Sequence, residues 1–345
     1  MGKFLGILVS SIIALAMVEA AARLVLGSPT PLGVLMFSEN PFQAGGGGSM
    51  KFVPNREIRA LSVFGARREF DVRFETNNLG LVDAADYPLP PKPRNIALAG
   101  DSYTAGYHGG RPWVPGLREL LPGANVYNLG VTGTGFVQFA DLLADFAASV
   151  AIDEVVLIAI SSDISRRSWQ PFVRENRLSL CSRDTPEAKC LAKNSNILLI
   201  EGDGSAPSLN ARIDAHYAAM PKVGWRRYLS RHTYVGRLFH SRTWKRRSKG
   251  LDKVEIPPFT VAALQRIRKQ FHGRPARLIH LPEKREVLAG AFSTDLEAAA
   301  KTAGFSFTNG LGACNLTVDD FFPRDPHPNA RGYEKIRLCV SRALK

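Results

Sequence analysis

The sequence predicts an α/β fold with three α/β/α layers, in which a parallel sheet is covered by helices on both faces. A basic helical insertion and an N-terminal transmembrane helix are added to it. Three observations carry the prediction. Short apolar runs alternate with helical segments from residue 95 onward, one such run ends in Gly100, Asp101 and Ser102, and the loop before the last helix holds an Asp-x-His pair. With 345 residues, 45% of them hydrophobic, the chain can bury one large domain or two small ones.

In order, "NIALAG" (95–100) reads as a buried strand, "VPGLRELL" (114–121) as a short helix and "NVYNLGV" (125–131) as the next strand. "GFVQFADLLADFAASV" (135–150) has amphipathic helical spacing, and "EVVLIAIS" (154–161) is a third strand. "ARLIHLP" (276–282) is a fourth strand, "TDLEAAAKTAG" (294–304) a helix, "FSFTNGL" (305–311) a fifth strand, and "NARGYEKIRLCVSRAL" (329–344) the closing helix. Short β-rich runs with helices between them are the signature of a parallel sheet, whose sites lie at the carboxyl ends of its strands. Ser102 is at one such end.

Ahead of this core, residues 4–18 carry no charge, and the apolar character continues to Leu26 through Glu19 and Arg23. Those two are spaced i and i+4, an order that pairs on a helix. A retained signal anchor over residues 1–27 is the expectation. A signal peptide cleaved after the small residues 20–22 and a buried soluble helix are the alternatives. The first two place the bulk of the chain in the periplasm or another extracytoplasmic space, at the cell membrane. Residues 28–49, ending in "GGGGS", read as a flexible linker. Residues 50–345 then form the main domain, in which 50–80 suggest an exposed hairpin packed against the rest of it.

Cys181, Cys190, Cys314 and Cys339 suit an oxidising compartment and allow three pairings, of which neighbour with neighbour is preferred on proximity alone. None has zinc-site spacing, so no metal is expected. Neither GxGxxG nor GxxxxGK[ST] occurs, so no cofactor is expected, and the absence of GxSxG excludes the usual α/β-hydrolase elbow. The 45 Lys+Arg against 31 Asp+Glu give a formal charge of +14, which favours anionic partners without choosing among them. Residues 165–257 break the alternation and include the basic, aromatic stretch 225–250, read as a lid or as a solvated face.

A serine is a poor nucleophile until a histidine base, itself oriented by a carboxylate, stands beside it. "FFPRDPHPNARGYEKI" offers Asp325 and His327 for those parts, although a turn-capping Asp and a helix-starting His would look the same. In "YNLGVTGTGF", Gly133 follows a strand and opens a helix, where a backbone N–H can face an oxyanion, or it serves only a tight turn. His108 in "YHGG" reads as a loop residue and His280 as a satisfied core histidine.

Taken together, "GDS", "NLGVTG" and "DPHPNARG", in this order, resemble the GDSL/SGNH hydrolase superfamily, and "FETNNLGLVD" (74–83) is similar to its membrane-anchored bacterial members. The resemblance spans residues 74–163 and 276–345. It implies a flavodoxin-like sheet, Ser102 as nucleophile, His327 as base and then acid, and Asp325 as its orienting carboxylate. The oxyanion donors would be the N–H groups of Ser102 and Gly133, with a third from the position of Ser162, where the family carries asparagine. Asp101 would hydrogen-bond the nucleophile turn. The implied activity is hydrolysis of an O-acyl ester, an acetyl group of a cell-surface glycan being the expected substrate, with acyl transfer to a glycan as the alternative. Two rivals come from other classes. One is a weakened SGNH-fold module that binds glycan or a partner. The other is nucleic-acid binding through 225–250, which an extracytoplasmic position disfavours, so no nucleic-acid partner is expected.

Overall fold

A computed structural model describes residues 2–26, 33–64, 67–167, 169–191, 197–200 and 253–345, together with 208, 211–213, 215 and 233–236. In chain order the strands are β1 (Val34–Phe37), β2 (Phe42–Ala44), β3 (Met50–Phe52), β4 (Arg56–Phe64), β5 (Arg67–Thr76), β6 (Arg94–Gly100), β7 (Ala124–Gly130), β8 (Glu154–Ala159), β9 (Trp169–Arg174), β10 (Arg177–Ser182), β11 (Ile197–Leu199), β12 (Ala276–His280) and β13 (Ser306–Asn309). The described helices are α1 (Gly2–Leu26), α2 (Ser102–Ala105), α3 (Trp113–Leu120), α4 (Phe136–Ala147), α5 (Glu187–Leu191), α6 (Pro258–Gln270), α7 (Lys284–Ala289), α8 (Leu296–Thr302), α9 (Gly310–Ala313) and α10 (Ala330–Leu344).

The central sheet runs β13-β12-β8-β6-β7, and every neighbouring pair in it is parallel. Its middle strands are apolar runs because both faces are covered: all of β7 and β8 and five residues of β6 are buried. The five strands predicted from residue 95 onward are these five, and each predicted helix appears at its place. The one buried acid at the sheet's amino end, Glu154, is neutralised by Arg277 at 2.6 Å and by Arg94.

A second sheet runs β5-β4-β1-β11-β10-β9, with β1 parallel to β11 and β9–β10–β11 antiparallel. This sheet was not foreseen, and it corrects two expectations. Residues 34–44 are not a flexible linker but hold β1 and β2, because Met36, Phe37 and Phe42 sit among the prolines and glycines and are buried. The "GGGGS" run closes a short 3₁₀ turn, Gly46–Gly48, that leads into β3. The described start of the insertion is not helical throughout: β9 and β10 form an antiparallel hairpin before the five-residue α5, while the described residues 208, 211–213, 215 and 234–236 further on are helical. The basic stretch 225–250 lies outside the described residues apart from 233–236. The expected hairpin at 50–80 is present as β4 and β5, but β4 is mostly buried rather than exposed. Phe37, Ile58 and Phe74 of this sheet, with Phe52 of β3, share one hydrophobic cluster with Tyr107, Phe136 and Leu157 of the central layer.

Both preferred disulfides form, Cys181–Cys190 between β10 and α5 and Cys314–Cys339 tying the segment after α9 to α10. The chain divides into two compact units, Met1–Val34, Val63–Arg68 and Ser205–Gly250 in one, and Leu35–Ser62, Glu69–Gly204 and Leu251–Lys345 in the other. In the first, α1 carries the anticipated ion pair, Arg23 Nε donating to Glu19 Oε1 at 2.8 Å. Among the described residues no helix is long and apolar enough to cross a membrane. The charge-free run ends at residue 18, and its fifteen residues rise only ~22 Å, against a hydrocarbon core of about 30 Å. The expected transmembrane helix therefore finds no support in the fold.

What positions the site is the contact of α2 with β7. A Cβ on Gly130 would stand 2.1 Å from the Ala105 nitrogen and 2.5 Å from the Thr104 carbonyl carbon, so only glycine lets the turn after β6 lie on the end of β7. Val131 N donates to Gly100 O at 3.0 Å and locks the two strand ends in register. Gly130→Ala is expected to cost about 3 kcal/mol in urea denaturation, since backbone atoms must move. Gly123→Ala, where a Cβ meets nothing within 4 Å, should stay within about 0.5 kcal/mol.

Candidate active site

Ser102 opens α2 directly after β6. Asp101 caps that short helix, its Oδ1 accepting from Tyr103 N at 2.8 Å, while its Oδ2 lies 3.2 Å from Ser102 Oγ. The partner loop runs from β13 to α10 and is pinned at three points. Phe321 and Pro328 form an antiparallel bridge, Phe322 N donates to His327 O at 3.1 Å, and Tyr103 OH donates to Pro326 O at 2.9 Å. Asn329 then caps α10 through Gly332 N at 3.1 Å. Gly332 belongs there because a Cβ would meet Asp320 O at 2.1 Å.

These constraints align three side chains. His327 Nε2 is 3.0 Å from Ser102 Oγ, and His327 Nδ1 is 2.5 Å from Asp325 Oδ1, which also accepts from His327 N at 3.0 Å. Asp325 Oδ2 accepts from Ser62 Oγ of β4 at 2.9 Å. Burial alone would raise the Asp325 carboxyl, but the His327 imidazole and its hydrogen bonds hold it well below the ordinary carboxylate range. An ionised acid, an oriented imidazole and a hydroxyl in line can remove the hydroxyl proton as oxygen attacks an electrophile.

Gly133 lies in the turn between β7 and α4 with φ of +79°, a conformation that favours glycine, and Leu180 of β10 borders its outer face. Ser162 lies in the 3₁₀ segment Ser161–Ser165 after β8, its Oγ accepting from Arg166 Nη2 at 3.2 Å. The same guanidinium, through Nη1, donates to Asp101 Oδ2 at 2.8 Å, Asp163 Oδ1 at 2.5 Å and Thr134 O at 3.1 Å. Burial raises the Asp163 carboxyl, Asp101 adds to this, and Arg166 opposes it. Burial works against the Arg166 cation, but Asp163 and Asp101 more than offset it and keep the guanidinium charged.

Sequence reasoning missed three residues of this site. Arg166 was visible only as a basic residue three beyond Asp163. Ser62 carried no signal at all. His108, read as a loop residue, is buried and stacked on His327, with ring centroids 3.7 Å apart and planes 9° from parallel. Tyr107 and Phe74 continue that stack. Burial pushes the His108 imidazole well below 6.5, and the facing His327 adds to the effect. Among the described residues its Nε2 finds no hydrogen-bond partner.

A second Ser–His contact exists, Ser161 Oγ to His280 Nε2 at 2.9 Å, between side chains at most 2% exposed. His280 is thus the satisfied core histidine expected, and burial pulls it down to about 4. Among the described residues no group of three His, Cys, Asp or Glu could hold a metal ion.

No protein-family profile and no curated protein matches the chain. Solved structures do. One is a lipase/acylhydrolase from Enterococcus faecalis, at 14% identity and TM-score 0.36, covering 73% of this chain and 95% of that one. Another is a two-domain esterase active on acetylated mannans, at 13% identity and TM-score 0.36, with 73% of this chain matching 48% of that one. A member of the lipolytic G-D-S-L family from Veillonella parvula matches at 14% identity and TM-score 0.34, over 73% and 98%. What the site can do follows from its own distances.

Two expectations can be measured. His108 and His280 are held neutral in the folded state, so below pH 6.5 the unfolded chain binds protons that the native one does not. Stability should fall as pH drops from 6.5 to about 4, by about 3 kcal/mol for His280 alone. Denaturation midpoints measured across that window should become less pH-dependent in His280→Gln. Separately, His108→Phe keeps a ring against His327 and should preserve most of kcat on a chromogenic ester. His108→Ala leaves a void there and should lower kcat roughly tenfold, since a displaced base loses its hydrogen-bond reach.

Proposed function

We propose that this chain is a serine ester hydrolase of the SGNH type that works through an acyl-enzyme. The observation that carries it is the line from Asp325 Oδ1 through His327 to Ser102 Oγ, at 2.5 and 3.0 Å. His327 Nε2 takes the proton of Ser102 as Oγ attacks the ester carbonyl. The N–H groups of Ser102 and Gly133 receive the oxyanion. As the tetrahedral adduct collapses, His327 returns the proton to the departing alkoxide. A water activated by the same imidazole then releases the acid. Asp325 stays ionised throughout and holds Nδ1–H.

The substrate we propose is an O-acyl ester of a cell-surface glycan with a small acyl group, acetyl first. Leu180 against Gly133 supports a small acyl group, because its methyl narrows the space beside the oxyanion turn. The charge of +14 suits an acidic glycan. Transfer to a sugar hydroxyl in place of water uses the same groups. The two disulfides support an extracytoplasmic location. For α1 we propose a tether at the membrane, supported by exposed Ile12, Ile13, Met17 and Leu24. One observation favours a second reading, a weakened module that only binds glycan: Ser162 stands where the resemblance calls for a carboxamide donor.

The test is labelling with a serine-reactive fluorophosphonate, with turnover of p-nitrophenyl acetate and longer esters alongside. The wild-type protein should label and prefer acetate. Ser102→Ala should lose labelling, and its kcat should drop by about 10⁴-fold or more with folding intact. A wild-type protein that neither labels nor turns over would leave the binding module, and preference for long chains would overturn the acetyl assignment.

A further inference from the structure

The residues expected to donate to an oxyanion come from three different loops, and one side chain touches all three loops. Arg166 donates to Asp101, which adjoins Ser102, to Thr134 O, which adjoins Gly133, and to Ser162 itself. Its planar fork separates the duties. Nη1 takes the two carboxylates and the carbonyl, and Nη2 takes the Ser162 hydroxyl.

The direction of that last hydrogen bond matters. A guanidinium has donors and no acceptor, so Ser162 Oγ must accept from it. The hydroxyl's own proton is thereby left for another acceptor, and among the described residues none takes it. The same fork engages Asp101 Oδ2, the oxygen 3.2 Å from Ser102 Oγ that would otherwise compete with His327 for the serine proton.

Resting on the esterase reading above, we propose that Arg166 is a positioning residue. It orients Ser162 so that the hydroxyl proton points at the oxyanion as its third donor, and it holds the loops of the other two donors in register. A serine is shorter than a carboxamide and rotates freely, and a fixed cation against its oxygen removes that freedom. Ser162 and Arg166 therefore act as one unit.

The experiment is steady-state kinetics on p-nitrophenyl acetate with the full chain, with thermal unfolding as the check on folding. Arg166→Lys keeps the charge beside Asp101 and Asp163 but cannot present two nitrogens at once. Ser162→Ala removes the donor and leaves the ion pairs in place. Each should lower kcat roughly a hundredfold, as loss of one oxyanion donor does, with little change in KM. The double variant should be no worse than the poorer single, because the two act together. Adding Ser162→Asn to Arg166→Lys should recover at least about tenfold, since a carboxamide brings its own fixed donor. Arg166 acting only as a structural ion pair would give additive losses and no recovery, which overturns the proposal. Ser162→Ala with full kcat overturns it as well, whatever Arg166→Lys does. Either result with an active wild type and an inactive Ser102→Ala leaves the esterase reading standing. A wild type without activity or labelling removes both.

Discussion

The structure depends on one buried carboxylate. Asp325 is 7% exposed yet ionised, and a charge removed from water must have its lone pairs filled. His327 fills one side twice, through its ring and its backbone N–H, and Ser62 fills the other. Ser62 comes from β4, a strand of the second sheet. That sheet is therefore part of the site rather than an appendage to it. The burial of β4 against the central layer and the placement of the loop that carries Asp325 and His327 are one requirement seen from two sides. Arg324 beside it donates its backbone N–H to Glu69 Oε2 of β5 at 3.0 Å, a second tie between the same loop and the same sheet.

The central sheet was legible in the sequence because each of its strands is buried on both faces and so reads as an unbroken apolar run. "EVVLIA" and "NIALAG" need no context to be recognised. Beyond its β4–β5 hairpin the second sheet was not legible, for the opposite reason. Val34–Phe37 of that sheet, and Phe42–Ala44 of the small β2–β3 pair beside it in sequence, are only three or four residues long and sit in a stretch rich in proline and glycine. Composition there says tether, and only burial of Phe37 and Phe42 against Tyr107 and Phe52 says strand. The same limit applies to the site. Ser102, Gly133, Asp325 and His327 lie at strand ends and loop positions that a motif can mark. Ser62, His108 and Arg166 act through space, from positions whose local sequence is ordinary.

The nucleophile end of the site has an electrostatic problem that the fold resolves locally. Asp101 and Asp163 are both fully buried, and one guanidinium faces both of them. Two like charges around one cation leave a deficit, and burial with mutual repulsion raises Asp163 accordingly. A proton shared into this cluster would bring it toward neutrality. Asp101 also caps the helix that begins with Ser102. The charge balance and the geometry of the nucleophile turn are thus set by the same three side chains.

At the base end, the stack of His108 on His327 decides which imidazole can carry charge. Two rings with centroids 3.7 Å apart cannot both be cations without strong repulsion. Burial settles the competition in advance. His108 sits with Phe70 edge-on at 5.1 Å, Tyr107 stacked on it at 4.0 Å and an Nε2 unpartnered among the described residues, surroundings that exclude its protonated form. Burial and the facing His327 therefore favour the neutral form of the ring stacked beneath it. On the proposed mechanism, the proton then moves only through the ring nitrogen that faces Ser102. An aromatic run from Phe74 of the second sheet through Tyr107 to His108 backs the His327 ring. A residue that sequence reading assigned to a loop thus keeps the imidazole aligned between its acid and its serine.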